Sequence, residues 1–176
     1  GRQRSQPALN EAGQFEQLGA PPLRIVDDAL QPRNVRILVA VDGSAPSLAA
    51  VAALADRLRW FRDTVELALL HAQPPIPYKA AATWVGNETV ARYYAEESDA
   101  ALAGAVKLLD ARGVGFSIER HIGDPADEIV RTASEGHFDL VVMGTHGHTA
   151  LANLVIGSVA TKVLARSMVP VMFMKA

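Results

Sequence analysis

Residues 36–48 read Arg36-Ile37-Leu38-Val39-Ala40-Val41-Asp42-Gly43-Ser44-Ala45-Pro46-Ser47-Leu48, and this stretch decides the fold. Ile37 to Val41 is an unbroken apolar run, the pattern of a strand covered on both faces. Asp42-Gly43-Ser44 marks a turn. Ser44 suits a helix cap, and Pro46 is tolerated in a first helical turn. Leu48, Val51, Ala52, Ala55 and Leu58 then recur at helical spacing, which predicts a helix to about Arg59. A doubly covered strand that runs into a helix is the opening unit of an α/β fold.

The alternation continues downstream. Thr64 to Ala72 reads as a second strand, with Val65, Leu67, Leu69 and Leu70 apolar. Pro74, Pro75 and Pro77 break the chain after it. A loop with Trp84 leads to a long helix from about Asn87 to Ala111, stopped by Gly113. Phe116 to Arg120 is a short third strand. Asp124 caps the next helix and Pro125 fits its first turn, and that helix ends near Gly136. Leu140 to Met143 is a fourth strand. A Gly-rich loop then leads to a helix from about Ser158 to Ser167, and Val169 to Met174 is a fifth strand. Five strands with intervening helices predict a parallel, right-handed, doubly wound sheet with helices on both faces. Ligands of such sheets bind beyond the carboxyl ends of the strands, where the strand order reverses. That expectation puts the site near Asp42, Ala72 and Gly144.

Composition narrows the function. The 176 residues leave room for one domain, or one domain and an arm. Residues 1–34 scatter their apolar side chains among four prolines and three glycines, and they read as an arm or linker. Residues 35–176 then form the domain. Seventeen basic and nineteen acidic residues give a net charge of −2, which argues against binding nucleic acid through bulk positive charge. The chain has no cysteine, which excludes disulfides, thiolate metal sites and cysteine catalysis. No apolar run is long enough to span a membrane, and no signal pattern opens the chain. The expectation is a cytoplasmic protein without membrane or nucleic-acid partners.

The loop after the fourth strand carries the chemistry. It reads Gly144-Thr145-His146-Gly147-His148, and after nine residues past Gly147 comes Gly157-Ser158. Glycine lets the backbone turn sharply and approach a ligand, so that amide hydrogens meet phosphate oxygens. Gly157 and Ser158 open the last helix, whose amides and positive end suit an anion, and the Ser158 hydroxyl adds a bond.

With these residues in view, the chain resembles the universal stress protein family, in its nucleotide-binding branch. The motif G-x-x-G-x9-G-[S/T] is complete at Gly144, Gly147, Gly157 and Ser158. Val41-Asp42-Gly43-Ser44, Leu70-His71-Ala72 and Pro170-Val171 support it, and the likeness covers about residues 34–176. It implies the strand order 3-2-1-4-5 of an adenine nucleotide alpha hydrolase-like sheet. It also implies binding of an adenine nucleotide: ATP, or else AMP, ADP or cyclic AMP, with magnesium held through the phosphates and by no protein ligand. By the same likeness Asp42 contacts the ribose or adenine side. Ala40, Val41 and Ala72 border the adenine, and Met143 and Gly144 continue that wall. Gly147, His148, Gly157, Ser158 and Val159 face the ribose and phosphates. Dimerisation through Val169, Val171, Met172, Phe173 and Met174 of the last strand is a further implication. Such a protein serves as a stress-response or regulatory homodimer. A branched side chain at Gly144 is expected to abolish binding and leave the fold intact.

Two departures qualify the likeness. Many nucleotide-binding members carry Arg or Lys soon after the second glycine, whereas His148 to Ile156 has neither. Where the family usually has Val, this chain has Ala72. The missing basic residue supports a rival reading, a dimeric interaction module with a vestigial pocket. A slow ATPase is a third reading, although no clear general base stands beside the phosphates and no catalytic residue is assigned. Other chemistries lack their signatures. Neither Gly-Lys-Ser/Thr nor G-x-G-x-x-G is present, and no G-x-S-x-G elbow surrounds Ser44 or Ser158. His146 and His148 lack a third zinc ligand nearby. His121-Ile122-Gly123-Asp124 reads as a turn and a helix cap, and His71 as packed at the end of the second strand.

Overall fold

The computed structural model describes residues 34–61, 64–76, 87–145 and 156–174. The arm read at residues 1–34 lies outside the described residues except for Asn34, which already belongs to the first strand. Trp84, His146, Gly147 and His148 also lie outside them.

Strand β1 spans Asn34–Ala40 and helix α1 spans Ala45–Ala55, followed by a single 3-10 turn at Leu58–Trp60. Strand β2 (Thr64–Gln73), helix α2 (Asn87–Asp110) and strand β3 (Ser117–Ile122) follow. Helix α3 (Pro125–Glu135), strand β4 (Leu140–Gly144), helix α4 (Ser158–Arg166) and strand β5 (Val171–Met174) complete the order. All strand pairs are parallel, and the sheet order is β3-β2-β1-β4-β5. The expected doubly wound sheet is therefore present.

Period-two burial explains why the strands read as continuous apolar runs. Ile37, Val39 and Val41 point to one face, where Val51 and Leu54 of α1 and Leu102 and Leu109 of α2 cover them. Leu38 and Ala40 point to the other, where Ala126 and Ile129 of α3 and Ala160 and Val163 of α4 lie. Each strand residue of β1 from Ile37 to Ala40 thus meets a helix whichever way it points.

Among the expected boundaries that move, three have a clear local reason. Helix α1 stops at Ala55 and not near Arg59, because the Arg57 amide donates to the Leu54 carbonyl and tightens the chain into the 3-10 turn. Strand β5 starts at Val171 and not at Val169. The Val169 amide is taken by the Ser167 hydroxyl, and Pro170 has no amide hydrogen, although its carbonyl accepts from Val141. Strand β3 runs on to Ile122, so His121 is a strand residue and not part of a turn, and its imidazole meets the Glu128 carboxylate at 2.8 Å. Among the described residues, no helix is long and apolar enough to cross a membrane.

Candidate functional site

The chain leaves β1 for β2 and β3 on one side and returns to β4 and β5 on the other. The reversal of order therefore lies between β1 and β4, which pair directly, Val39 opposite Val142. A cavity of about 240 Å³ opens at their carboxyl ends. Ala40, Val41 and Asp42 line it from the end of β1, Leu70 and Ala72 from β2, and Met143 and Gly144 from β4. Gly157, Ser158, Val159 and Ala160 close it from the start of α4. The structure brings together nine of the eleven residues read as nucleotide-binding; the other two, Gly147 and His148, lie outside the described residues.

Local hydrogen bonds set the shape of this mouth. Asp42 Oδ1 accepts from the Ser44 amide at 3.0 Å and from the Ser44 hydroxyl at 2.6 Å. The Ser44 hydroxyl oxygen in turn accepts from the Ser47 amide at 3.3 Å and caps α1. The turn needs Gly43, whose φ of +77° is unfavourable for a side chain and whose missing Cβ would stand 3.0 Å from the Ala101 Cα. Behind the mouth, His71 Nδ1 lies 2.8 Å from the Val41 carbonyl oxygen, and the Val41 amide donates to Leu70 at 2.8 Å. Val41 is thus fixed through both of its backbone groups.

Three of the helices that begin at this end differ in how their amides are satisfied. Ser44 caps α1, and Asp124 caps α3 by accepting from Ala126 and Asp127. Helix α4 has Gly157 at its cap position and no side-chain cap. Its first intrahelical bond runs from Thr161 to the Gly157 carbonyl at 2.9 Å, so the amides of Ser158, Val159 and Ala160 come before it. These three residues line the cavity. An uncapped helix start facing a cavity is a ready anion site.

Two expectations change. The Gly157 amide does not face an anion, because it donates to the Thr145 carbonyl at 2.9 Å. Gly144 lines the cavity, yet a Cβ on it would stand 2.8 Å from the Pro46 carbonyl oxygen and 3.1 Å from the Ser47 amide nitrogen. A branched side chain there meets the first turn of α1, so it strains the fold, against the expectation that only binding is lost.

Sequence reasoning missed Pro125 and Ile129, which supply the α3 wall, and Ser47, Leu70 and Ala160. One signal was available. Asp124-Pro125 follows a strand directly, which puts the start of α3 at the same end of the sheet as Asp42. Of the residues read as dimer-forming, Val169, Val171, Met172 and Phe173 are half-buried at the β5 edge, while Met174 is buried in the protomer's own core. Leu164 and Met168, just before β5, are exposed apolar side chains at 53% and 93%.

Known proteins match this arrangement. The model of a family described as the universal stress protein family matches residues 34–175. A universal stress protein of Methanocaldococcus jannaschii is 31% identical over 141 residues, which are 80% of this chain and 81% of that protein. A solved protein of the same organism is similar with a TM-score of 0.63 at 26% identity, over 80% of this chain and 95% of its own. A universal stress protein solved in complex with cAMP is 25% identical with a TM-score of 0.50, over 79% of this chain and 94% of that one.

Proposed function

The chain belongs to the universal stress protein family, and on that premise we propose that it binds an adenine nucleotide in the cavity between β1, β4 and α4. ATP with magnesium is the ligand of this reading. The observation that carries it is the uncapped start of α4, whose residues Ser158, Val159 and Ala160 line the cavity beside two glycines. The apolar walls from Leu70, Ile129 and Met143 suit a base, and the α4 amides suit phosphate oxygens. The relative solved in complex with cAMP supports an adenine nucleotide as the class of ligand. Asp42 serves the ribose side, as the family likeness implies.

A second reading has its own observation. No lysine or arginine lines the described cavity. Backbone amides and magnesium would then carry the whole charge of a triphosphate, which favours the less charged AMP or cAMP. Calorimetry with ATP, ADP, AMP and cAMP ranks these readings. Binding of none of them at millimolar concentration would overturn the proposal and leave the interaction module.

The protein acts, in this reading, as a cytoplasmic stress-response homodimer paired through β5. β5 is an edge of the sheet, which leaves its outer backbone groups open to a second strand. The absence of cysteine fits a reducing compartment. Residues 1–33, which precede the first strand, are read as an arm outside the nucleotide domain.

A further inference from the structure

A second cavity, of about 690 Å³, lies on the α2 side of the β2 end. It shares Asp42 and Ala72 with the first and is otherwise built from different residues, chiefly His71, Gln73, Tyr93 and Glu97. Its polar groups are almost all acceptors.

His71 is the most constrained of them. Its side chain lines this cavity although the residue is only 8% exposed. A carbonyl oxygen only accepts, so the 2.8 Å contact with Val41 requires the hydrogen on His71 Nδ1. In the neutral ring Nε2 is then a lone-pair acceptor, and it has no partner among the described residues. Gln73 is oriented in the same sense. Its two amide hydrogens go to the Tyr94 carbonyl at 2.9 Å and the Ser98 hydroxyl at 3.1 Å, so what remains to offer is its carbonyl oxygen. Glu97 adds an exposed carboxylate. Tyr93 adds an exposed ring, set edge-on against Tyr94 with centroids 5.8 Å apart. Among the described residues, no lysine or arginine lines the space.

We infer that this cavity is a binding site for a small organic cation bearing N–H donors, an alkylguanidinium or alkylammonium. Its donors meet His71 Nε2 and the Gln73 carbonyl, its charge faces Glu97, and its apolar or planar part lies on Tyr93. The open lone pair of His71 Nε2 can accept from such a donor. A metal ion fits less well, because no group of three His, Cys, Asp or Glu side chains among the described residues is placed to hold one. Occupancy also bears on the first cavity. Asp42 and Ala72 belong to both, and His71 holds the carbonyl of Val41, which lines the first.

Methylguanidinium is the probe and its uncharged isostere N-methylurea the control, at constant ionic strength, followed by amide and imidazole chemical shifts. The expected result is saturable shifts confined to residues 42–43, 71–76 and 93–101 and to the His71 ring, with N-methylurea at least about tenfold weaker. Glu97→Gln and Tyr93→Ala, both at exposed positions outside the first cavity, should each weaken the probe about fivefold. Calorimetric affinity for nucleotide should be unchanged in Glu97→Gln, which separates this site from the nucleotide reading. Equal shifts from N-methylurea, non-saturating shifts, or full affinity in Glu97→Gln would overturn the inference.

Discussion

The Gly157 amide donates to the Thr145 carbonyl at 2.9 Å, and this bond ties the end of β4 to the start of α4. The bond consumes the Gly157 amide, so the anion-binding capacity of α4 begins with Ser158.

Capping α4 from its own chain should oppose ligand binding. Gly157 has φ −59° and ψ 156°, which an ordinary residue adopts without strain. Gly157→Asp supplies a carboxylate to the amides that otherwise face the cavity. It should stabilise the empty protein by a few tenths of a kcal/mol and weaken nucleotide binding about tenfold. Denaturant midpoints and calorimetry on the same variant check both signs.

Asp42→Asn tests the ribose side without dismantling the turn. Asparagine keeps an Oδ1 acceptor for the Ser44 amide and hydroxyl, which the aspartate now serves. Stability should change little, while nucleotide affinity falls about tenfold through loss of a charged acceptor. Unchanged affinity in calorimetry would remove Asp42 from the site.

Gly144→Val and Gly43→Ala should act on the fold. The first forces a side chain against the backbone of Pro46 and Ser47, and should cost about 1–3 kcal/mol. The second puts a Cβ at φ +77° against the α2 backbone at Ala101, and should cost about 1–2 kcal/mol from conformation alone. Urea denaturation measures both. A Gly144→Val protein of native stability would show that α1 yields at its first turn.

The ion pair between Lys162 and Asp124, 3.0 Å apart, joins α4 to the cap of α3. The hydrogen bond from Lys162, and then the amide of Asp127, hold the Asp124 carboxyl below its ordinary value of 3.8. A carboxyl lowered in the folded state stabilises the fold above that ordinary value. The contribution disappears as pH falls through the lowered one. Asp124→Asn keeps a good cap and removes the charge. Its deficit against the parent should be present at neutral pH and vanish in strong acid, as followed by denaturant midpoints.

Leu164→Lys with Met168→Lys tests the pairing of chains. Both positions are exposed and precede β5, so the fold should tolerate them. Light scattering should show a dimer for the parent and a monomer for the variant.

Much of the fold was legible because it is written in local patterns. The run Ile37–Val41 implied two covered faces, and the caps Ser44 and Asp124 marked helix starts to the residue. Boundaries failed where a single hydrogen bond decides them, as at Arg57 and Val169. The cavity was legible through Gly144, Gly157 and Asp42, which line it. The α3 wall was not, because nothing local to Pro125 and Ile129 says which strands they face.

The sequence by itself determined the alternation of strand and helix, the double covering of the strands and the family, and with the family the strand order. Those properties follow from apolar periodicity, caps and a spaced motif, all of which act over short stretches. Tertiary structure alone decided three things: that α4 is the helix left uncapped at the cavity, that Gly144 faces the backbone of α1, and that His71, bonded to the Val41 carbonyl, lines a second cavity. Each depends on contacts between elements far apart in the chain, and the geometry of such contacts is set by packing and not by spacing.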